Sequence, residues 1–232
     1  MSTKQLFVVA LIVCGCGNEQ SPRPQSEAQT AIPISPAPVS LVHPGGYVSL
    51  RPDYRLCLFP FCGGFYIQRV NQPETACGDS SLAPECYVAT LELDRLVLTV
   101  AETSQLYDGL ARVVIRGSIE PRVSATGFQY DALRASAAWL GVGAQAPTGE
   151  TYVARQHDGQ IIAQPLNQTA PVLFGQVDFA GVVAQQDQLG RAREALLDGG
   201  LMLTGYPAPG GSDMPTLVVT QFYFPMGPGV VE

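Results

Sequence analysis

Hydrophobic and polar residues alternate in short runs along much of the chain, which is the pattern of strands. In residues 88–93 and 176–179, apolar and polar side chains alternate with the period of a half-buried strand. Residues 186–197 show a helical stripe instead, and the glycine pair at 199–200 is expected to end that helix. The stripe consists of Leu189, Ala192, Leu196 and Leu197. The pattern therefore predicts a mostly β protein with short helices.

Four segments recur in the same order about 84 to 105 residues later, which predicts an internal duplication. The first pair aligns Tyr47 with Tyr152, and the last pair aligns Trp139 with Tyr223. The paired segments are 47–53 and 152–158, 88–93 and 174–179, 108–117 and 198–205, and 133–139 and 217–223.

Each copy is expected to follow the order strand, strand, strand, helix, strand, strand. This is the order of a small five-stranded barrel of the oligonucleotide/oligosaccharide-binding (OB) type. The sequence therefore predicts two tandem OB-like β-barrel units, over residues 46–142 and 148–227. A partly open β-sandwich is the alternative.

Residues 1–15 have the features of a signal peptide. Lys4 supplies a positive charge, and residues 6–13 form an unbroken apolar run. As a helix, this run would rise about 12 Å, less than half of the roughly 30 Å hydrocarbon core of a bilayer. Residues 13–16, Val-Cys-Gly-Cys, resemble the lipobox of bacterial lipoproteins, so we expect cleavage before Cys16 and lipidation of Cys16. An ordinary signal peptide that contains cysteines is the alternative.

Residues 16–45 are rich in Pro, Ser and Gln, a composition that cannot build a core, and they are expected to form a disordered tether. No aspartate follows Cys16 directly, which by resemblance to lipoproteins of two-membrane bacteria favours the outer over the inner membrane. The sequence therefore predicts a lipid-anchored protein of the bacterial cell envelope that contacts the membrane through its anchor only.

The charge of the chain argues against binding to nucleic acid. The formal net charge is -7, and loss of Lys4, the only lysine, with the signal peptide takes it to -8. An acidic chain without a basic patch does not suit a phosphate backbone. We expect an envelope protein or a glycan as the partner instead.

Four cysteines remain after the predicted cleavage, and an even number in an exported protein indicates disulfides. Three connectivities are possible, and local spacing favours Cys57–Cys62 and Cys77–Cys86. A ring as small as the first contributes about 2 kcal/mol, so it shapes a loop more than it stabilises a fold. Zinc is the alternative, but the wide second spacing does not suit it. We predict no metal and no cofactor.

The cysteines lie within a longer set of motifs that resembles a family described as a domain of unknown function, number 6748. Its members are exported bacterial proteins and lipoproteins, often with two related units. Some members carry a similar cysteine pair in the second unit, where this chain has Ile-Ile-Ala-Gln-Pro at 161–165. The resemblance implies no activity. The motifs are Arg51-Pro-Asp53, Cys57, Pro60-x-Cys62-Gly-Gly64, Arg69-Val-Asn71, Cys77 and Glu85-Cys-Tyr-Val88.

The segment between Cys57 and Cys62 is the main candidate for a binding site. Leu58, Phe59 and Phe61, together with Leu56, would form an apolar knob on a stiffened loop if the loop projects outward. Alternatively, these side chains fold back and cap the end of the barrel. The leading hypothesis for function is a non-catalytic binding or assembly module. A protease inhibitor that acts through this loop is the alternative.

No catalytic residues are predicted, although the sequence contains several side chains of catalytic types. His43 and His157 have no serine on a G-x-S-x-G turn to support them. A polysaccharide-acting enzyme that uses Asp53, Asp79, Glu92 or Asp178 is a further alternative. Solvent-facing acids are the simpler interpretation of Glu92 and Asp178, and a turn is the simpler interpretation of the segment around Asp79. Trp139 alternates with Leu133, Ala135 and Ala137, which indicates packing in a core or an interface.

Overall fold

The computed structural model describes residues 46–143, 146–210 and 214–228. The predicted signal peptide, the lipidation site Cys16 and the tether up to residue 45 lie outside the described residues. The described part is mostly β, as predicted, with two α-helices. Neither helix is long and apolar enough to cross a membrane.

The first half of the folded part contains eight strands and one α-helix. The helix α1 begins after Thr99, whose side chain accepts a hydrogen bond from the Glu102 backbone in a capping box. A 3-10 turn follows the helix. The elements are β1 (Gly46–Pro52), β2 (Phe65–Arg69), β3 (Thr75–Ala76), β4 (Leu82–Ala83), β5 (Cys86–Val88), β6 (Thr90–Glu92), α1 (Val100–Asp108), the 3-10 turn (Leu110–Arg112), β7 (Val113–Val123) and β8 (Gln129–Val142).

The second half contains six strands and the helix predicted from the apolar stripe. Gly199 caps this helix and Gly200, with φ 115°, ends it. Ala192 and Leu196 are buried as expected, whereas Leu197 is mostly exposed. The elements are β9 (Glu150–His157), β10 (Gln160–Pro165), β11 (Val172–Phe174), β12 (Gln176–Asp178), α2 (Gln186–Asp198), β13 (Leu201–Ala208) and β14 (Thr216–Pro225).

The strands of the two halves pair in the same way. In the first half, β1 pairs with β2 and β7, β2 with β5, β7 with β8, and β6 with β8 in parallel. In the second half, β9 pairs with β10 and β13, β10 with β11, β13 with β14, and β12 with β14 in parallel. One residue separates β5 from β6 and β11 from β12. Each half therefore has a closed cycle of strand pairs around one core.

The halves are joined through β8 and β14, which pair antiparallel and place the main strands in a single 12-stranded sheet. Phe224 lies opposite Leu140 in this pair, and these two residues occupy equivalent positions in the two halves. The two halves are therefore related by a pseudo-twofold axis that passes through the centre of the sheet.

Two asparagines make reciprocal hydrogen bonds across this pseudo-twofold. Asn71 Nδ2 donates to Thr151 O at 2.6 Å, and its Oδ1 accepts from Thr151 N at 2.9 Å. Asn167 Nδ2 donates to Tyr47 O at 2.8 Å, and its Oδ1 accepts from Tyr47 N at 3.0 Å. Each asparagine has a positive φ, 57° and 58°, a backbone conformation that asparagine tolerates better than most residues. Each half thus binds the first strand of the other.

Apolar packing follows the same division. Each half has its own buried cluster, one around Ile67, Ile115 and Leu133 and the other around Phe174, Leu203 and Phe222. A third cluster joins them and includes the residue predicted for a core or an interface, Trp139, whose ring centroid is 5.5 Å from that of Tyr47. The buried members of this third cluster are Val114, Leu166, Met202 and Tyr223.

The strand register corrects the first of the four sequence alignments. Tyr47 lies opposite Arg116, whereas Tyr152 lies opposite Leu203 inside the second core. The structural equivalent of Tyr47 is Thr151, so the alignment of Tyr47 with Tyr152 was wrong by one residue. A slip of one residue moves a side chain to the other face of a sheet, which is why the two tyrosines have different environments.

A β-bulge interrupts the alternation of side chains that was predicted around Trp139. The register of β7 with β8 shifts between Arg116 and Gly117, and the register of β13 with β14 shifts at the equivalent place, between Thr204 and Gly205. The extra residue of β8 reverses the direction of the side chains that follow. Ala138 is therefore buried in the first core, in place of the predicted Ala137.

We predict that the asparagine contacts stabilise the folded protein across the interface of the two halves. Asn71→Gly removes the side chain but tolerates the positive φ, so its cost reports the lost hydrogen bonds. We expect a decrease of about 1–3 kcal/mol in the free energy of unfolding. Asn167→Gly should cost a similar amount, and urea unfolding should remain a single transition. Gln68→Ala, at an exposed strand position, is the control. An Asn71→Gly protein as stable as this control would contradict the prediction.

Candidate functional site: the stapled loop and the apolar tip

The loop between β1 and β2, residues 53–64, is closed by several contacts and is called here the stapled loop. It contains the predicted Cys57–Cys62 disulfide, and the structure also contains the predicted Cys77–Cys86 disulfide. At the base of the loop, Asp53 N donates to Gly64 O at 2.9 Å. The loop is therefore closed at its base by backbone and nearer its middle by a covalent bond.

An ion pair inside the stapled loop orients its first turn. Arg55 Nε and Nη2 donate to the carboxylate of Asp53 at 2.8 to 3.0 Å, and the Asp53 side chain is only 2% exposed. The side-chain hydrogen bonds from Arg55 lower the pKa of Asp53 below its usual value. Arg55 Nη2 also donates to Phe61 O at 3.3 Å, so the same side chain reaches the far arm of the loop.

A tyrosine of the neighbouring strand supports the loop from below. Tyr87 Oη donates to Pro60 O at 3.0 Å, and Pro60 is buried. Burial is the main cause that raises the pKa of Tyr87, so its hydroxyl remains a donor at neutral pH. The ring of Tyr87 and that of Tyr66 each lie 5.7 Å from the Arg55 guanidinium carbon.

The apolar side chains of the loop are unusually exposed. Leu56 is fully exposed (102%) and Leu58 is 83% exposed, whereas Phe59 and Phe61 are 52% and 59% exposed. The sequence left open whether these residues project or fold back, and the structure shows both. The leucines project, and the phenylalanines pack against a neighbouring hairpin.

That hairpin, where β7 turns into β8, completes the surface. The ring centroids of Phe59 and Tyr130 are 5.2 Å apart, and those of Phe61 and Phe128 are 5.6 Å apart. We call the resulting exposed surface the apolar tip. It consists of Tyr54, Leu56, Leu58, Phe59, Phe61, Val123 and Phe128.

The hairpin part of this surface was not predicted from the sequence. The available signal was the pair Val123 and Phe128, two large apolar residues that flank a Ser-Ala-Thr-Gly turn, where polar residues are usual. Which loop they would meet depends on the β7–β8 hairpin reaching the β1–β2 loop, and local pattern does not show this.

The segments that form the apolar tip carry no acidic residue, in a chain with 20 Asp and Glu. Residues 54–62 and 123–130 contain one charged side chain, Arg55, which is paired with Asp53. Beside the loop, Arg51 Nη2 lies 2.6 Å from Glu85 Oε2. These two ion pairs lie at the base of the tip, and residues 54–62 and 123–130 carry no charged side chain besides Arg55.

The four carboxylates that were candidates for catalysis each bind a different local partner. Asp53 binds Arg55, and Asp79 Oδ1 accepts from Ser81 N and Oγ in a turn. Glu92 accepts from Arg122 Nε and Nη2 at 2.8 and 2.7 Å. The hydrogen bonds from Arg122 lower the pKa of Glu92. Asp178 Oδ1 accepts from Ala180 N at 2.8 Å.

The interaction between two acidic side chains, Asp131 and Asp79, was not predicted from the sequence. Gly78, in the Cys77–Cys86 loop, lies directly against the carboxylate of Asp131, where an added Cβ would be 2.2 Å from Oδ2. Burial, and to a lesser extent the charge of Asp79, raises the pKa of Asp131. In the part of the chain that the structure describes, no group of three or more His, Cys, Asp or Glu side chains could hold a metal ion.

The second half has a different surface at the position of the stapled loop. His157 ends β9 and is exposed, and Asp158 and Gly159, with φ 47° and 76°, form a tight turn to β10. A cavity of about 800 Å³ lies nearby, between α2 and β10–β12, and its lining includes Gln156, Asp178 and Arg193. A smaller cavity of about 250 Å³ lies between the halves, beside Trp139 and Tyr223.

The Asp53–Arg55 pair leads to a prediction about pH. The lowered pKa means that the pair stabilises the loop above the unfolded pKa of Asp53, near 3.8, and that this contribution is lost as the pH falls through the folded value. Hydrogen exchange of the loop amides should therefore increase at acidic pH relative to β7. In Asp53→Asn, the protection of the loop amides relative to β7 should be low and should not change with pH. Asp158→Asn is the control, and an Asp53→Asn loop that exchanges like the wild type would contradict the assignment.

The folded part of the chain is similar to a described protein family. No curated protein and no solved structure matches the chain. Residues 46–229, which include both halves of the folded part, match the family described as a domain of unknown function, DUF6748. This agrees with the resemblance in the cysteine motifs, and the chain therefore belongs to the DUF6748 family.

Proposed function

We propose that this protein is a lipid-anchored, non-catalytic binding or assembly module of the bacterial cell envelope and that it binds through the apolar tip. The observation that carries the proposal is the exposure of Leu56 and Leu58 on a loop held by a disulfide, an ion pair and a tyrosine hydroxyl. Large apolar side chains presented together to water are typical of an interaction site.

The way the tip is built supports binding. A loop that already has its bound conformation loses little conformational entropy when a partner binds. Full burial of a leucine side chain contributes about 1.5–3 kcal/mol, so the two leucines together would be a large part of the binding free energy.

We further propose that the chain arose by duplication of an OB-like unit and that the first unit acquired the binding function. The identical order of strand pairs in the two halves supports the duplication. The turn at Asp158 and Gly159 occupies the place of the stapled loop in the second unit. The apolar tip is therefore an addition to the first unit, and the second unit stabilises the first through their shared interface.

The envelope location is supported by the sequence at Cys16 and, weakly, by the disulfides. Disulfides form and persist in oxidising compartments outside the cytosol. The outer membrane stays the favoured location because no aspartate follows Cys16.

A protease inhibitor is the second candidate function. The observation in its favour is Leu58, which is exposed within the disulfide ring, as an inhibitor loop would require. A polysaccharide-acting enzyme receives less support, because the carboxylates named for it bind separate local partners.

We predict that partner binding depends on the two exposed leucines. The full chain with Leu56→Ser and Leu58→Ser should bind its partner about 100-fold more weakly, since two apolar contacts are lost. The measurement is affinity capture from detergent-solubilised envelope, followed by identification of the bound proteins. A protease among them would favour the inhibitor.

The matched control is Val183→Ser with Leu197→Ser, which removes two exposed apolar side chains from the second half. The same partners captured by both double variants would move the binding site away from the apolar tip. Circular dichroism of each variant checks that the fold is intact.

We also predict that Cys16 carries the lipid. Metabolic labelling of the full chain with an alkyne fatty acid should label the wild type and Cys14→Ser but not Cys16→Ser. Equal labelling of Cys16→Ser would overturn the proposed anchor site.

A further inference from the structure

We propose that the apolar tip inserts into the interfacial region of a lipid bilayer. This inference rests on the proposed function, because it takes the apolar tip as the binding surface and assigns a lipid surface as its partner. It gives the protein a second contact with the membrane, distinct from the predicted anchor at Cys16.

The exposure of the apolar tip favours a lipid bilayer over a protein as its partner. The Leu56 side chain makes almost no contact with its own chain, and Leu58 makes few. A protein partner would need a groove that matches these projecting side chains. Lipid acyl chains instead rearrange around any apolar projection, so a bilayer needs no such complementarity.

The residues of the tip follow the polarity gradient of a bilayer surface. The most exposed apolar side chains of the stapled loop are the aliphatic Leu56 and Leu58 and the amphipathic Tyr54, and the aromatic Phe59 and Phe61 are half-exposed. The paired charges, Arg51 with Glu85 and Arg55 with Asp53, lie at the base. Proteins that lie at an interface bury aliphatic side chains, place aromatic rings near the headgroups and keep charges in water.

The lack of carboxylates removes an obstacle to insertion. Residues 54–62 and 123–130 contain no Asp or Glu, so no anionic side chain of these segments would lose its hydration in the bilayer. Since Arg55 is already paired with Asp53, the attraction is apolar and does not depend on anionic lipid. Binding should therefore change little with salt, unlike binding by a basic patch.

The predicted anchor would strengthen this contact. A lipid at Cys16 would hold the tip near the same bilayer at a high effective concentration, so even a weak insertion would be occupied. Two attachment points also fit the general need for more than one signal in stable membrane binding.

The test places a tryptophan in the tip and measures its contact with lipid. The full acylated chain with Leu58→Trp is reconstituted into vesicles of phosphatidylethanolamine and phosphatidylglycerol, with or without phosphatidylcholine brominated on its acyl chains. We expect the fluorescence of the new tryptophan to shift to shorter wavelength and to lose most of its intensity with the brominated lipid. Raising the salt concentration should leave this loss unchanged.

The matched control is Leu197→Trp, at an exposed apolar position of α2 on the same anchored chain. It should show no quenching beyond that of the wild type, which reports Trp139. Quenching that is equal at positions 58 and 197 would overturn the proposal, because it would reflect proximity from the anchor alone. An absence of quenching at position 58 would also overturn it, whether or not the chain binds the vesicles.

The two proposals fail in different ways. If position 58 is not quenched but the Leu56→Ser and Leu58→Ser protein loses a captured partner, the lipid inference fails and the proposed binding function stands. If position 58 is quenched and capture does not depend on the leucines, the partner of the tip is the bilayer itself.

Discussion

The reciprocal hydrogen bonds of Asn71 and Asn167 are the constraint on which the rest of the structure depends. Each side chain uses both its oxygen and its nitrogen on the backbone of one residue of the opposite half, Thr151 or Tyr47. These bonds hold the first strand of each half beside the turn after the second strand of the other. The strand pair β8–β14 and the apolar cluster around Met202 add to the same interface. The two halves therefore share one interface, and the stapled loop is built on a support larger than one half of the folded part.

Local signals in the sequence were sufficient for the mostly β class, the second helix and both disulfides, because each depends on nearby residues. Long-range features were not accessible in this way. The asparagine contacts join residues 80 and 120 positions apart. The misalignment of Tyr47 with Tyr152 arose because a matching residue type outweighed the strand register, which only the pairing partners define. The bulge in β8 likewise interrupts a regular alternation that sequence alone would continue.

The candidate site could likewise be predicted from the sequence only where it depends on nearby residues. The cysteine spacing located the stapled loop, and its apolar composition indicated a surface. The contribution of Val123 and Phe128 depends on two loops that are distant in sequence meeting at one end of the first half. The support of the loop by Asp53, which is nearly inaccessible to solvent, was also missed, since an acidic residue after a strand is usually exposed.

The pseudo-twofold relation determines at which ends of the sheet a chain of this fold can present a stapled loop. Because β8 and β14 run antiparallel, β1 and β9 also run in opposite directions, so their following loops face opposite ends of the sheet. A chain with a stapled loop in both halves would be bivalent and could bridge two surfaces. This chain has a tight turn, Asp158-Gly159, at that place in the second half, so the proposed binding surface would be presented at one end of the sheet only.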